Sequence, residues 1–592
     1  MKRALLLGLL AGCLALSSCS GPGSGAGYSQ VPVYVEEADW VTVVDNCQWV
    51  EPGEGASFRL IAEEDRLITD VDYSGDYALF EQNGTTILVV AGVRYPTRIT
   101  LETEQIDPSG RYVRTVTYRP NGGEGEPFDR TDSIRVHTRP NTARGGFSRA
   151  GYTLTGWNTR ADGSGTAVGL GSRVTVPEEG LTLYAQWMPW TDPGAFSCRD
   201  AGDGVTVTGY RGEGDVLVVP GELKGKPVTA IASGAFRACG ARRVILPPGL
   251  AAVEEGAFEN CALRELTLFD DIRDIGDGAF AGCEALQTLH INAATAPYGY
   301  SYRRESLLAD KVDMLIDSRD EKKLVFYGGC SVWYNLIGSE AVRMFGSKYR
   351  IINMGINGSM NSLVQMEIIG NYLGEGDIFL HTPELSSAHQ LLTYTDMYDG
   401  DEKLWCGLEY NYDLFALVDI RGMRGVFDSL AGYLSRKKPG GSYGDMYRDV
   451  AGGSFMDYTG SISALRTQSQ GELYDEVFLD PESLAGGLPV LEEQYGRYIR
   501  QGARVYVSYA CVDIDGVPEN QRGNVELLDG LFRQTIGAMD GPVLISTLSD
   551  YLFHSWDCFD THYHLLTQAA YENTAFWLRD LRVQMERDGV WP

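Results

Sequence analysis

The run Lys323-Leu324-Val325-Phe326-Tyr327-Gly328-Gly329-Cys330-Ser331 decides how the second half of this chain is read. Residues of strand character end in paired glycines, and a thiol follows where the chain must turn. Outward from it, similar apolar runs recur at Tyr349 to Asn353, Asp377 to His381, Arg504 to Tyr509 and Pro542 to Ser546. Helix-like stretches alternate with them, at Met360 to Tyr372, Leu488 to Arg500, Val525 to Met539 and Leu565 to Met585. This alternation predicts an α/β, doubly wound parallel sheet over residues 311–592, with its ligand site beyond the carboxyl ends of the strands. Cys330 follows the first strand, Gly355 the second and Glu384 the third.

Far downstream, Phe559-Asp560-Thr561-His562-Tyr563-His564-Leu565 supplies an acid and two imidazoles in one short stretch. A thiolate paired with a histidine is a competent acyl acceptor, and an acid that orients the imidazole completes the set. Cys330, His564 and Asp560 are therefore the expected nucleophile, base and orienting acid. Asp560 lies four residues before His564, so only a tight turn brings its carboxylate to the ring. His562 competes as the base; His564 is preferred because it opens the final predicted helix. Three other readings stand beside this one. Cys330 can be a buried strand-end thiol, Ser331 can be a hydroxyl nucleophile one position on, and His554, Asp557, His562 and His564 can be metal ligands. No His-Glu-x-x-His or paired Cys-x-x-Cys spacing supports a metal, and no cofactor is implied.

These blocks resemble the SGNH (GDSL-like) hydrolase superfamily. Phe326-Tyr327-Gly328-Gly329-Cys330-Ser331 is similar to its nucleophile block, with Cys330 where the family has Ser. Asn353-Met354-Gly355-Ile356-Asn357-Gly358-Ser359 resembles the second block, whose Gly gives an oxyanion-hole N–H. Asp560 to Leu565 resembles the closing block. The resemblance implies an acyl-ester hydrolase or acyltransferase, with O-acylated surface or dietary glycan as substrate. It also implies an oxyanion site built from Gly355, Asn357 and Glu384. Glu384 stands where the family pattern offers an Asn donor. An ionised Glu only accepts, and a lost oxyanion donor costs roughly 3 to 4 kcal/mol, so Glu384 can serve only if burial keeps it protonated. Asn361 is a further donor candidate.

Upstream lies a repeat. Gly234-Ala235-Phe236, Gly256-Ala257-Phe258 and Gly278-Ala279-Phe280 recur every 22 residues, in step with Ile231, Val253 and Ile275 and with Cys239, Cys261 and Cys283. Short apolar runs such as Arg243 to Leu246 and Glu265 to Leu268 fall between them, so each unit is one strand plus a tight turn, and stacking buries a Phe and Cys ladder. This resembles a BspA-type leucine-rich repeat over 195–295, a short solenoid suited to spacing, docking or adhesion. Before it, Thr115 to Gly123, Gly151 to Asn158 and Leu181 to Trp187 alternate apolar and polar residues around Trp157 and Trp187. They resemble the internalin-type B repeat, or Listeria-Bacteroides repeat, which implies a β-grasp-like spacer over 111–190. Residues 31–110 carry short-strand patterning and read as a small β domain. The whole chain is thus multidomain, a string of β modules and a solenoid ahead of the α/β region.

Composition limits the partners. With 592 residues the chain is too long for one core, and about three to five domains are expected. Acidic residues outnumber basic ones 80 to 50, a net charge of −30, with no basic stripe, which argues against nucleic acid. Lys2 and Arg3 precede an apolar stretch from Ala4 to Leu16 that is short for a bilayer span and suits a secretory signal. Leu16-Ser17-Ser18-Cys19 resembles the bacterial lipobox, which implies cleavage before Cys19, lipid attachment to its thiol and an extracytoplasmic, membrane-anchored protein. Residues 20–30, rich in Gly and Ser, read as a tether. Trp333, Tyr334, Trp405 and Trp556 are candidates for an aromatic-lined groove that suits carbohydrate, or for core packing. Residues 437–460 read as a lid, a rim or a disordered insertion. The alternative to an enzyme is a catalytically inactive surface protein that binds carbohydrate or a host surface protein.

Overall fold

A computed structural model describes residues 30–591 apart from 37–39, 45, 63–65, 74–76, 83–84, 106–112, 134–136, 139–145, 173, 178, 295–306, 359, 385–396, 398–401, 410, 437–458, 463–465, 474–476 and 478–480. The signal stretch, Cys19, nearly all of the tether and most of the 437–460 segment lie outside the described residues.

In the first module two four-stranded sheets pack face to face. Strand Glu54–Ala62 shows why: Ala56, Phe58 and Leu60 point inward while Ser57, Arg59 and Ile61 point out, the two-residue period of a half-buried strand. The second module is a five-stranded sheet in which Val113–Arg119 runs parallel to Leu181–Pro189. Trp157 is buried at its centre and meets Tyr118 edge-on at 4.9 Å. Trp187 is only partly buried and donates its indole N–H to the carbonyl of Pro120 (2.9 Å), so the core is built on Trp157 rather than on both tryptophans. The described residues of this module carry strands and no helix.

The repeats stack as expected. Strands Lys226–Ile231, Ala252–Val253 and Asp274–Ile275 pair in parallel along one face, and Val216–Val218, Arg243–Ile245, Glu265–Phe269 and Thr288–Asn292 along another. Phe236, Phe258 and Phe280 stack ring on ring between them, at centroid distances of 4.7 and 5.3 Å.

Element labels begin after the solenoid. Helix α1 spans Leu307–Asp317, strand β1 Lys323–Gly328, α2 Cys330–Asn335, α3 Gly338–Phe345, β2 Arg350–Asn353, α4 Ser362–Gly370 and β3 Ile378–Thr382. Then follow α5 (Glu402–Leu408), α6 (Tyr412–Phe415), α7 (Val426–Arg436), α8 (Pro481–Arg500), β4 (Arg504–Val507), β5 (Val512–Asp513), α9 (Asn524–Ala538), β6 (Val543–Leu544), β7 (Leu552–Phe553) and α10 (Thr567–Arg587). All pairings in the main sheet are parallel, in the order β2-β1-β3-β4-β6, so the strand order switches direction between β1 and β3. Strand β1 is buried along its whole length, as a central parallel strand must be. Helix α8 starts at Pro481, earlier than the expected Leu488, because proline fits a first turn; Pro489 then lies inside it. No helix among the described residues is long and apolar enough to cross a membrane.

The solenoid and the α/β region are not separate beads. One hydrophobic core runs from Val205 through the repeats to Met585. Phe427 of α7 continues the phenylalanine ladder, stacking on Phe280 at 4.3 Å. Polar bonds lock the seam: Arg273 Nη1 donates to the Leu434 carbonyl (2.9 Å), Tyr412 Oη to Asp270 Oδ2 (3.0 Å) and Ile420 N to the Gln287 carbonyl (3.0 Å). Helices α6 and α7 therefore cap the last repeat, whose apolar end would otherwise face water. The string-of-modules picture is corrected at this junction.

Candidate functional site

Cys330 is the first residue of α2, directly after the Gly328-Gly329 turn at the carboxyl end of β1. A side chain on Gly328 would strike Val332 Cγ2 at 2.5 Å and the Thr382 carbonyl at 2.6 Å, so only glycine lets the strand turn into the helix here. Glu384, two residues past the end of neighbouring β3, reaches across the switch point. Its Oε1 accepts the Ser331 backbone N–H at 2.9 Å and lies 3.8 Å from Cys330 Sγ. Gly329, the N-cap of α2, provides no side-chain bond, so Glu384 caps the helix from another strand. Glu384 is buried, and burial raises its carboxyl above the ordinary range against the lowering pull of the Ser331 and Cys330 hydrogen bonds.

His564 and Asp560 meet. Asp560 Oδ1 lies 2.6 Å from His564 Nδ1, so the four-residue spacing closes the pair. A turn makes this possible: Cys558 and Leu565 form an antiparallel bridge, and Phe559 N donates to the His564 carbonyl (2.7 Å). The expectation that His564 opens the last helix is corrected. Leu565 sits in that bridge and donates its N–H to Asn335 Oδ1 (2.8 Å), so α10 begins only at Thr567.

Helix α2 ties this hairpin to Cys330. Tyr334, four residues after Cys330 and hence on the same helix face, stacks on the His564 ring at 3.5 Å and 9°. Asn335 grips the hairpin twice, through Leu565 N and through its Nδ2 to the Tyr563 carbonyl (2.8 Å). Arg466 covers the other side: its guanidinium lies over the Tyr334 ring (5.2 Å) and donates to the Tyr334 carbonyl. Burial lowers the Arg466 guanidinium to about 10, while neighbouring Tyr334 and Asp560 pull it back up.

Gly355 serves packing. A Cβ there would meet Trp333 N at 2.6 Å and Val332 Cβ at 2.7 Å, so the glycine lets the β2 end touch α2. Its N–H donates to Asn353 Oδ1 (2.8 Å), and its carbonyl accepts from the buried Lys311 Nζ, which also donates to Gly460 O (2.8 Å). Asn361 caps α4 by accepting from Val364 N (3.1 Å), while Asn357 lies in the loop between β2 and α4. Lys311, Asn335 and Arg466 carried no motif signal, being single polar residues without a diagnostic spacing.

The histidines proposed as alternative ligands are each paired with a different acid. His554 Nδ1 faces Asp515 (2.9 Å), His562 Nδ1 faces Asp513, and His564 faces Asp560. Among the described residues no group of three or more His, Cys, Asp and Glu could hold a metal ion. Of the aromatic candidates, Trp333, Tyr334 and Trp405 are core residues. Trp556 is 68% exposed and stacks on His554 at 4.0 Å.

Two family models match parts of this chain: the BspA type leucine rich repeat region over residues 223–307 and the Listeria-Bacteroides repeat domain over residues 115–186. Among solved structures, the chain is similar to a leucine rich repeat protein of T. pallidum, at 21% identity and a TM-score of 0.13, over 17% of this chain and 70% of that one. It is also similar to a leucine rich cell surface protein of Faecalibacterium prausnitzii, at 20% identity and a TM-score of 0.15, over 24% of this chain and 36% of that one. No curated protein matches. The chain is therefore a multidomain protein whose repeat modules match the BspA-type leucine-rich repeat and the Listeria-Bacteroides repeat.

Proposed function

We propose that residues 311–592 form an SGNH-like acyl-ester hydrolase or acyltransferase with Cys330 as nucleophile, His564 as base and Asp560 as orienting acid. One observation carries the reading: the Asp560–His564 pair is stacked on Tyr334 of α2, the helix that begins at Cys330. In this reaction His564 takes the thiol proton and the thiolate attacks the ester carbonyl. The alcohol then leaves with that proton, and water or an acceptor hydroxyl resolves the thioester. Protonated Glu384 supplies the donor that an Asn would otherwise give, and Gly355 and Asn357 lie along the same strand-end rim. The exposed Trp556 ring, close in sequence to Asp560, suits a sugar face, in keeping with an O-acylated glycan. Lipid attachment at Cys19, outside the described residues, would hold the protein at the bacterial cell surface, and the signal-like start of the chain supports that placement.

A second reading has its own support. The Ser331 and Gly355 N–H groups are engaged by Glu384 and Asn353, which favours a fold that has lost chemistry and serves, with the repeats, in adhesion or carbohydrate binding. Peptide-resolved iodoacetamide labelling of the full chain across pH separates the two. A working pair labels Cys330 well below the unperturbed thiol value of about 8.5, and His564→Ala abolishes that shift. Labelling only on unfolding sinks the enzyme reading, and glycan-binding assays then take its place.

A further inference from the structure

Each repeat places a cysteine three residues after its core phenylalanine, as Phe236/Cys239, Phe258/Cys261 and Phe280/Cys283. The rings stack at 4.7 and 5.3 Å with interplanar angles of 1° and 9°, so successive units repeat at the spacing of paired strands. Backbone bonds keep the cysteine segments in the same step: Ala262 N donates to the Cys239 carbonyl (3.0 Å) and Asn260 N to the Ala281 carbonyl (2.7 Å). The thiols follow the same step: the Cys261 side chain reaches the Phe236 carbonyl of the preceding unit (3.0 Å) and Cys283 reaches the Phe258 carbonyl (3.1 Å). The Ala262 N to Cys239 carbonyl bond pairs these two segments as neighbouring strands are paired, at about 4.7–4.9 Å, within the range of about 4.4–6.8 Å that the Cα atoms of a disulfide span. All three cysteines are free thiols.

The three are not equivalent. Cys239 is partly exposed, while Cys261 and Cys283 are buried, with their S–H groups directed at the carbonyls of Phe236 (3.0 Å) and Phe258 (3.1 Å). The neighbouring Cys261 thiol lowers the Cys239 thiol, and Cys261 is itself raised by its cysteine neighbours.

We infer that Cys239 and Cys261 are a redox-modification site, a dithiol across adjacent repeats that closes by exchange with a small disulfide such as oxidised glutathione. The Cys239 thiolate attacks one sulfur of the oxidant, forming a mixed disulfide and expelling one glutathione thiolate. Cys261 then gives up its proton and attacks the Cys239 sulfur, expelling the second glutathione. Two protein thiols lose two electrons and two protons, and one oxidant disulfide becomes two glutathione thiols. The odd number of rungs leaves Cys283 reduced. This site is independent of any chemistry at Cys330.

The test uses the full chain, first reduced, then incubated with oxidised glutathione near neutral pH, quenched with iodoacetamide and mapped by mass spectrometry without reduction. A Cys239–Cys261 cross-linked peptide is expected, with Cys283 alkylated after unfolding and with a raised thermal midpoint that dithiothreitol reverses. Cys261→Ala stops at a glutathione adduct on Cys239, and Cys283→Ala still cross-links. In the wild-type chain, an unmodified Cys239, an adduct that never resolves, or a bond joining only Cys261 to Cys283 overturns the inference.

Discussion

Glu384 concentrates the competing demands on this site. Its carboxyl caps α2 and touches the thiol, and burial raises its proton affinity. An acid whose folded value exceeds its unfolded value binds more protons when folded, so its contribution to stability is full below the unfolded value near 4.3 and is lost as pH rises through the folded value. Glu384→Gln keeps an oxygen for Ser331 N and removes the titration. Its thermal midpoint is expected to gain on wild type between about pH 4 and pH 7, as scanning calorimetry would register; parallel curves would show that the carboxyl carries no such burden. If Cys330 is an acyl acceptor, the amide also keeps an oxyanion donor at pH values where the wild-type carboxyl is ionised, and esterase turnover there rises by up to about a hundredfold. A second buried acid is fully paired: Asp377 holds Lys323 Nζ at 2.9 Å, Lys323 N at 2.8 Å and Gly374 N at 2.8 Å. Asp377→Ala strands the buried lysine, and urea unfolding is expected to show a loss of about 3–5 kcal/mol.

At the scale of elements, the helix that presents Cys330 is only six residues long and depends on its neighbours. Asn335 closes its far end onto the 558–565 hairpin, so Asn335→Ala removes the bond to the Leu565 N–H and leaves the Tyr563 carbonyl to the weaker Cys511 S–H donor (3.4 Å). A cost of about 1–3 kcal/mol is expected, together with slower alkylation of Cys330 if His564 activates it; unchanged stability would mean that the hairpin holds itself. The helical cap of the solenoid is equally specific. Phe427→Ala removes the last ring of the ladder, for up to about 3 kcal/mol because the ring is only partly buried. Hydrogen exchange should then quicken in Asp274–Ile275 and Thr288–Asn292 before it does in β1.

For the whole molecule, the shared core means that the α/β region cannot be cut at residue 311 without exposing the surface that α6 and α7 press against the repeats. A fragment over 196–592 is expected to be monomeric with one cooperative unfolding transition, whereas 311–592 aggregates or unfolds at lower temperature. Equal thermal midpoints for the two would contradict a common core. The repeats and the candidate acyl-transfer site therefore share one core.

The amino-acid sequence by itself determined what depends on local period and spacing. The 22-residue step predicts the Phe and Cys ladders because each unit meets a copy of itself, and apolar runs with paired glycines predict β1 and the turn at Cys330 because a central strand must be buried on both faces. The acid and histidine of the closing stretch were legible as residue types. Their pairing was expected and is met at 2.6 Å, whereas the late start of α10 and the capping of α2 by Glu384 were not legible, since each depends on a bond from a distant segment. Only the tertiary structure decided that Asn335, Arg466 and Lys311 hold the site together, that Trp333, Tyr334 and Trp405 belong to the core, and that the solenoid is fused to the α/β region. A lone polar or aromatic side chain has no periodicity, and its role is set by which surface the fold brings against it.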